Sequence, residues 1–491
     1  MKHFVALLTD HDKCTLTLIL TLALLFSALS GCNGADIPSI HDEASSGKPE
    51  QSFTQTADDE EASENEAEPD YSWFTFPEET NKMTVYSNGD DLKSVLDPAI
   101  RIFKEQYPDV EIDYQIFGQD EYNTTVRAEI PAGRGPDLLL LNNVTVQDVY
   151  KTMSTGVFEN LDPYFYEDGE ITLDDYVSGA MDGGLFRGER LIVPLCYTIP
   201  LLMTTRALLD EIGAKEADLT TFEGFCETAR KYRAAYPDGL LFEDVIQVDP
   251  IYENQINLFS YFGFRLIDYE NGELSADEEA VRAYADLLKL FYDPDYILND
   301  PEHQYRNSSN YHDYGCVLAR ESLFSDWNTS FSSYMMTRTF VPEEEESLFF
   351  VPPNLQSGQT AVMDTMAAVP KASTNKLNAW RLLKILLSEE IQSGVDDKLA
   401  GHLHFWSGKP VRIGSLRRYL DAKRKRGDYL CPGYMFDDYC ALWEHPTEAV
   451  TMSEVYRQFI REELFPFVRG EASWDDCWKS FMNTMELYKD E

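Results

Sequence analysis

The sequence predicts an α/β fold built on a parallel sheet. Between Lys82 and Asn142 the pattern runs strand, helix, strand, helix, strand. Consecutive strands joined through helices pair in parallel, with helices covering both faces. The third strand, Leu138 to Leu141, is a continuous apolar run after Gly135-Pro136-Asp137, as expected of a strand buried on both sides.

Each element has its own signal. Met83 to Ser87 reads as a strand ending in Asn88-Gly89-Asp90. Leu96, Ile100, Phe103 and Tyr107 recur at helical spacing, with Pro98 in the first turn. Asp109 to Phe117 alternates as a strand does, and a helix follows around Tyr122 to Ile130. After the third strand come another helix and a turn at Gly156. Arg190 to Met203 is strand-like around Pro194 and Pro200. Thr221 starts a helix with Glu223 close to a capping position. Val281, Leu287, Leu288 and Phe291 mark a further helix. Glu343 to Glu346 is an acidic turn before the strand Leu348 to Val351. Ala379 to Ile391 reads as one long amphipathic helix with Leu382, Leu383, Leu386 and Leu387 inward. The last helix, Ser473 to Tyr488, lines up Trp474, Trp478, Phe481, Met482 and Met485 on one face, a stripe expected to be core. No internal repeat is visible.

The amino-terminal region has a different texture. Lys2 and Lys13 precede an apolar run from Leu16 to Leu29, which ends in Leu29-Ser30-Gly31-Cys32. A basic start, a short apolar stretch and small residues before a cleavage point make a secretory signal over residues 1–31. Asp10, His11 and Asp12 are out of place in a basic start and point away from Met1 as the initiator. The LSGC string resembles the lipobox of bacterial lipoproteins, which implies cleavage before Cys32 and acylation of its sulfur and amine. Acyl chains anchor by burying CH₂ groups at about 0.8 kcal/mol each. From Asn33 to about Asp70 the chain is rich in Asp and Glu with Lys48 as its one basic residue. Such a segment buries too little apolar surface to fold, so residues 32–81 are expected to form an acidic, disordered tether. Tyr71 to Pro77 (YSWFTFP) is the first part expected to pack onto the body.

Composition excludes some functions. The 491-residue chain has a formal charge of −45, against nucleic-acid binding, which needs basic surface. The charge suits a protein that stays soluble at a cell surface. Beyond Cys14 and Cys32 there remain Cys196, Cys226, Cys316, Cys431, Cys440 and Cys477, with no Cys-x-x-Cys pair. Three disulfides and scattered buried thiols both fit this spacing.

Seven stretches in order resemble the extracellular solute-binding proteins of family 1, which feed ABC importers and mostly bind sugars. They are Val85–Asp91 (VYSNGDD), Gly133–Asn143 (GRGPDLLLLNN), Thr155–Phe165 (TGVFENLDPYF), Gly183–Gly213, Thr221–Tyr232, Val369–Leu387 (VPKASTNKLNAWRLLKILL) and Lys409–Arg412 (KPVR). Three departures stand out: Thr204-Thr205-Arg206 replaces the usual Tyr-Asn-Lys, Phe222 replaces a Trp, and the chain is longer than most relatives. The resemblance implies a two-lobe, periplasmic-binding-protein-like fold of type II with strands crossing between lobes. By analogy lobe one comprises residues 82–195 plus 347–393, and lobe two 196–346 plus 394–491. Ligand lies between the lobes near the carboxyl ends of the strands, and closure is a hinge motion.

Sugars need aromatic faces for their C–H surfaces and fixed acceptors and donors for their hydroxyls. On that basis the expected ligand contacts are Asp90 at the end of the first strand and Asn142 and Asn143 at the end of the third. Tyr197 near the lobe crossing, Asp326 and Trp327 in SLFSDWN, Asp364 in a returning strand, and Trp406 before the Lys409 segment complete the set. The expected partners are a small-molecule ligand, a sugar, the ABC permease, and a membrane reached through the lipid on Cys32; no cofactor is expected. The chain is expected to act as a monomer, without nucleic acid, on the extracellular face of the cell membrane.

Two other classes compete. A surface glycosidase needs two carboxylates about one bond, but among so many Asp and Glu a chance pair discriminates nothing. No G-x-S-x-G, H-E-x-x-H or Walker loop occurs. His402 and His404 alternate without a recognisable third metal ligand. A sensor that presents its ligand to a membrane receptor would use the same fold and pocket. Lys423-Arg424-Lys425-Arg426 is a basic cluster that reads as a solvated helix face, with docking as the alternative.

Overall fold

Parallel pairing begins where the apolar pattern places it. Lys82–Asn88 (β1) turns Met83 and Val85 into the core. Lys93–Gln106 (α1) buries Val95, Leu96, Ala99 and Phe103. Pro98 lies inside α1 rather than in its first turn, because the buried Leu92 and Val95 extend the helix backwards. Glu111–Phe117 (β2) pairs with β1 along its whole length. Gln119–Glu129 (α2) leads to Leu138–Asn142 (β3), which pairs with β1 in parallel at Val85↔Leu138 and Tyr86↔Leu139. Val149–Ser154 (α3) is capped by Asp148, whose carboxylate accepts from the Lys151 amide at 3.0 Å. The computed structural model describes residues 70–88, 92–142, 148–242, 253–292, 314–326, 330–394, 408–428, 431–451 and 453–490.

Two crossings then carry the chain out of this sheet and back. Val193–Thr198 (β4) lies in the sheet and Leu202–Thr205 (β5) lies outside it. Phe222–Ala235 (α4) starts at Thr221, whose hydroxyl accepts from the Gly224 amide at 3.2 Å. Leu240–Phe242 (β6), Glu253–Tyr261 (α5) and Glu278–Leu290 (α6) follow. Ser322–Phe324 (β7) pairs with β6 in parallel. Phe331–Phe340 (α7) precedes Ser347–Phe350 (β8), which pairs antiparallel with β5. Thr360–Ala368 (β9) re-enters the first sheet.

The sheet is therefore mixed rather than parallel throughout. β9 runs antiparallel to both β3 and β4, because it arrives from the second lobe on the side where those strands end. The chain continues through Lys376–Leu386 (α8), Glu389–Ser393 (α9), Lys409–Pro410 (β10), Ser415–Lys425 (α10), Tyr434–Ala441 (α11) and Glu448–Thr451 (β11). The single helix expected over 379–391 is two, since the Ser388 hydroxyl accepts from the Ile391 amide and starts α9 afresh. The sheet order is β10-β4-β9-β3-β1-β2, with β11 pairing beside the first half of β9. Glu454–Phe459 (α12) and Trp474–Asp490 (α13) end the fold.

Two hydrophobic cores result. The first gathers the sheet with α1, α8 and the residues Tyr164, Trp380 and Phe158. The second gathers α4, α5, α6, α12 and α13 around Phe225, Phe262, Phe264 and Tyr284. Trp474, Phe481 and Met485 are buried there, with Trp478 and Met482 at its margin, so the carboxyl-terminal stripe is core. The lobe limits differ from those drawn on the sequence. Val411, Leu420, Phe436, Tyr439, Trp443 and Ala449 belong to the first core, and the second takes over only from Val455. The reason is pairing: β10 bonds to β4, and β11 bonds to β9. Phe331 of α7 also joins the first core, stacked on Phe436 with ring centroids 4.6 Å apart.

Phe74 and Phe76 pack edge-on against Tyr164, with centroids at 4.7 and 5.8 Å, so this aromatic segment does join the body. The six cysteines beyond Cys32 are all thiols, five of them buried.

Candidate ligand cleft

The sheet directions bring several strand ends to one edge. β1 and β3 are parallel, and β3 and β4 both oppose β9, so all three finish on the same side. Their last residues are Asn88, Asn142 and Thr198. From that edge the chain crosses to β5 in the second lobe.

Thr365 of β9 is the pivot of the polar row. It pairs with Asn142 on one side and with Cys196 on the other. The register shifts between Met363 and Thr365, which makes Asp364 the extra residue of a bulge. Bulges re-aim side chains at the margins of sites. Here the Asp364 carboxylate accepts from the Cys196 thiol at 3.7 Å. Burial, and then the charge of Asp364, hold the Cys196 thiol far above its usual range.

The second lobe presents a matching end. Ser325 follows β7 and bridges to Met203 of β5, which places Asp326 beside the crossing. Tyr261, the last residue of α5, feels that carboxylate: burial first, and Asp326 second, push its hydroxyl above the ordinary phenol range. Asp326, Asn142 and Asp364 thus lie at strand ends or crossings of the two lobes. Asp90, Asn143, Trp327 and Trp406, like Cys32, fall outside the described residues.

Tyr197 differs from its expected role as a stacking ring. It is 1% exposed, and its hydroxyl donates to the Trp443 carbonyl oxygen. Its ring is spent on packing in the first core, against Trp443 with centroids 6.3 Å apart.

A larger interlobe cavity, of about 580 Å³, lies on the β11 side. Its walls hold five carboxylates, Asp148, Asp268, Glu270, Asp277 and Glu448, with Arg265 as the cation among the described lining residues. The sequence reading missed this cluster. Asp148 Oδ2 accepts from the Tyr269 hydroxyl at 2.5 Å and from the Tyr488 hydroxyl at 3.4 Å. Burial raises the Asp148 pKa above the usual carboxylate range, and these hydroxyl bonds oppose the shift. Glu448 accepts from Asn354 at 2.7 Å and Thr360 at 2.9 Å. Gly263, at φ +72°, leaves room for it: a Cβ there would lie 2.2 Å from Glu448 Oε1. Each carboxylate has at least one internal donor, and the Asp148–Tyr269 bond is a joint between the lobes across this cavity. Asp148 looks in sequence like any capping residue; no local signal marks partners so distant in the chain.

The comparisons fit this architecture. The family model for bacterial extracellular solute-binding proteins matches residues 99–398, more than half of the chain. The chain is a bacterial extracellular solute-binding protein. No curated protein matches it significantly. Among solved structures, the solute-binding protein is similar to the sugar-binding protein MalE from Xanthomonas citri, at 17% identity and a TM-score of 0.56, covering 83% of this chain and 97% of that one. A periplasmic oligogalacturonide-binding protein from Yersinia enterocolitica gives 13% identity and a TM-score of 0.56, covering 83% and 99%. A family 1 extracellular solute-binding protein from Alicyclobacillus acidocaldarius gives 13% and 0.51, covering 85% and 100%. At these identities the likeness establishes the two-lobe, type II fold of the solute-binding protein. Among its described residues no helix is long and apolar enough to cross a membrane, and no cluster of three metal-ligating side chains occurs.

Proposed function

We propose that this protein captures a carbohydrate, an oligosaccharide, between its two lobes and hands it unaltered to an ABC importer. The observation that carries this reading is the row of Asn and Asp residues at the carboxyl ends of β1, β3 and β7 and in the β9 bulge, at the crossings of a family fold whose members bind solutes. Open α/β sheets bind ligands at such strand ends. The sugar-binding and oligogalacturonide-binding relatives support a saccharide. Asn142, Asp326 and Asp364, with Asp90 and Asn143, would accept and donate to hydroxyl groups; Trp327 and Trp406 would supply ring faces. A ligand touching both lobes only when they are closed shifts the population toward closure, the shape a permease can select. In this reading Cys32 carries the lipid that holds the protein at the membrane.

A thermal-shift screen of mono- and oligosaccharides tests the proposal, because a ligand bound only by the native state raises Tm. At least one saccharide is expected to do so. Calorimetry of that hit should then show Trp327→Ala weakening it tenfold or more, as for a central aromatic contact. The reading fails if no saccharide shifts Tm, or if the purified protein converts the bound sugar chemically.

A further inference from the structure

Lys409 occupies an unusual position in so acidic a chain. On β10 it pairs with Tyr197, and its ammonium stands 4.4 Å from the centroid of the Trp443 ring and 5.9 Å from that of Tyr439. It lines a separate cavity of about 170 Å³, walled by Ser330, Phe331, Ser332, Tyr419 and Tyr439. No carboxylate is among the described lining residues, and Lys409 is the cation among them. Aromatic faces partly offset the desolvation of an ammonium, but they are no substitute for a counter-ion. Burial accordingly lowers the pKa of Lys409 to about 8.

One further feature of the site favours negative charge. Ser330 caps the ten-residue helix α7, accepting from the Ser333 amide at 3.1 Å, so the positive end of the helix dipole lies at the cavity wall. Trp443 lies beneath the ammonium but is not part of the cavity wall, so it supports Lys409 through its ring face alone. The Gln392 side chain, also in the wall, is already engaged: it donates to the Leu195 and Leu386 carbonyls and accepts from the Arg412 amide. Among the described lining residues, the charged donor left to serve a ligand is Lys409, with no competing acid. In sequence, Ser330 and Lys409 each follow a proposed sugar-stacking residue, Trp327 or Trp406, by three positions.

We propose that this cavity receives an oxyanion, the carboxylate or sulfate of an acidic saccharide, with Lys409 as the residue that selects for its charge. The inference rests on the saccharide-capture reading for the source of the anion, but the cavity itself can be probed without a sugar.

The test uses the full chain, its Lys409→Met and Lys409→Arg variants, and three probes: trigalacturonate, maltotriose and inorganic sulfate. Trigalacturonate is expected to bind by calorimetry, Lys409→Met to weaken it tenfold or more, and Lys409→Arg to restore most of the affinity. Any maltotriose affinity should be the same in all three proteins, which also certifies their folding. Trigalacturonate binding that is indifferent to Lys409→Met overturns the inference. So does binding of maltotriose without trigalacturonate, which leaves saccharide capture standing. If neither saccharide binds while sulfate raises Tm in the wild type and not in Lys409→Met, the anion site stands and saccharide capture falls. If sulfate also fails to distinguish the two, both are overturned.

Discussion

The interlobe cavity at Asp148 and the smaller one at Lys409 solve opposite electrostatic problems. In the first, a buried carboxylate is answered by two tyrosine hydroxyls and a backbone amide, all from the protein itself. In the second, a half-buried ammonium is answered by ring faces, with no carboxylate among the described lining residues. The first cavity supplies donors to its own carboxylates; the second has a cation with no counter-ion among the described lining residues.

The contrast can be broken first at Asp148. Asp148→Ala removes a helix cap and strands two hydroxyls, so it should lower stability by about 2–4 kcal/mol in urea unfolding. A loss below about 1 kcal/mol would show that the joint is not held there. Next in size is Lys409→Met, which should raise stability by about 1–3 kcal/mol at pH 7 by removing a desolvated charge. The sign follows from proton binding. The folded pKa, about 8, lies below the unfolded value near 10.4, so between these pH values the unfolded state holds more protons. Wild-type stability therefore rises through that window, and the advantage of Lys409→Met should shrink between pH 8 and 10.5. Tm measured at pH 7 and pH 10 checks this; an equal gain at both would assign the effect to packing. The smallest effect is expected of Tyr488→Phe. It removes a 3.4 Å hydroxyl bond but keeps the ring under Lys151, so the loss should stay within about 1 kcal/mol. A loss as large as that of Asp148→Ala would make Tyr488, not the carboxylate, the centre of the joint.

Local periodicity made β1, α1, β2, α2 and β3 legible in the sequence, because each buries one face or both within a few residues. The reversal of β9 was not legible, since strand direction depends on where a chain returns from and not on its own residues. Nor was the allotment of residues 409–449 to the first lobe: β10 is Lys409–Pro410 alone, too short to leave a pattern. At the candidate cleft, the place of Asn142 at the end of an apolar strand was legible, whereas Asp326 was singled out only through the resemblance around Trp327. Tyr197 misled because an aromatic beside a crossing looks the same in sequence whether it faces a ligand or a Trp backbone. Lys409 gave no warning, since a lysine before proline carries no sign that a ring formed thirty-four positions later will lie beneath it.

Strand β9 bonds to β3, β4 and β11 within nine residues, while its amino end leads straight back to the second lobe. Its amides are consequently the ones that cannot open without dissolving the whole first sheet. In hydrogen–deuterium exchange they should label last, at the rate of global unfolding, whether or not the lobes are moving. That makes the strand an internal clock against which the breathing of every hinge segment around it can be timed.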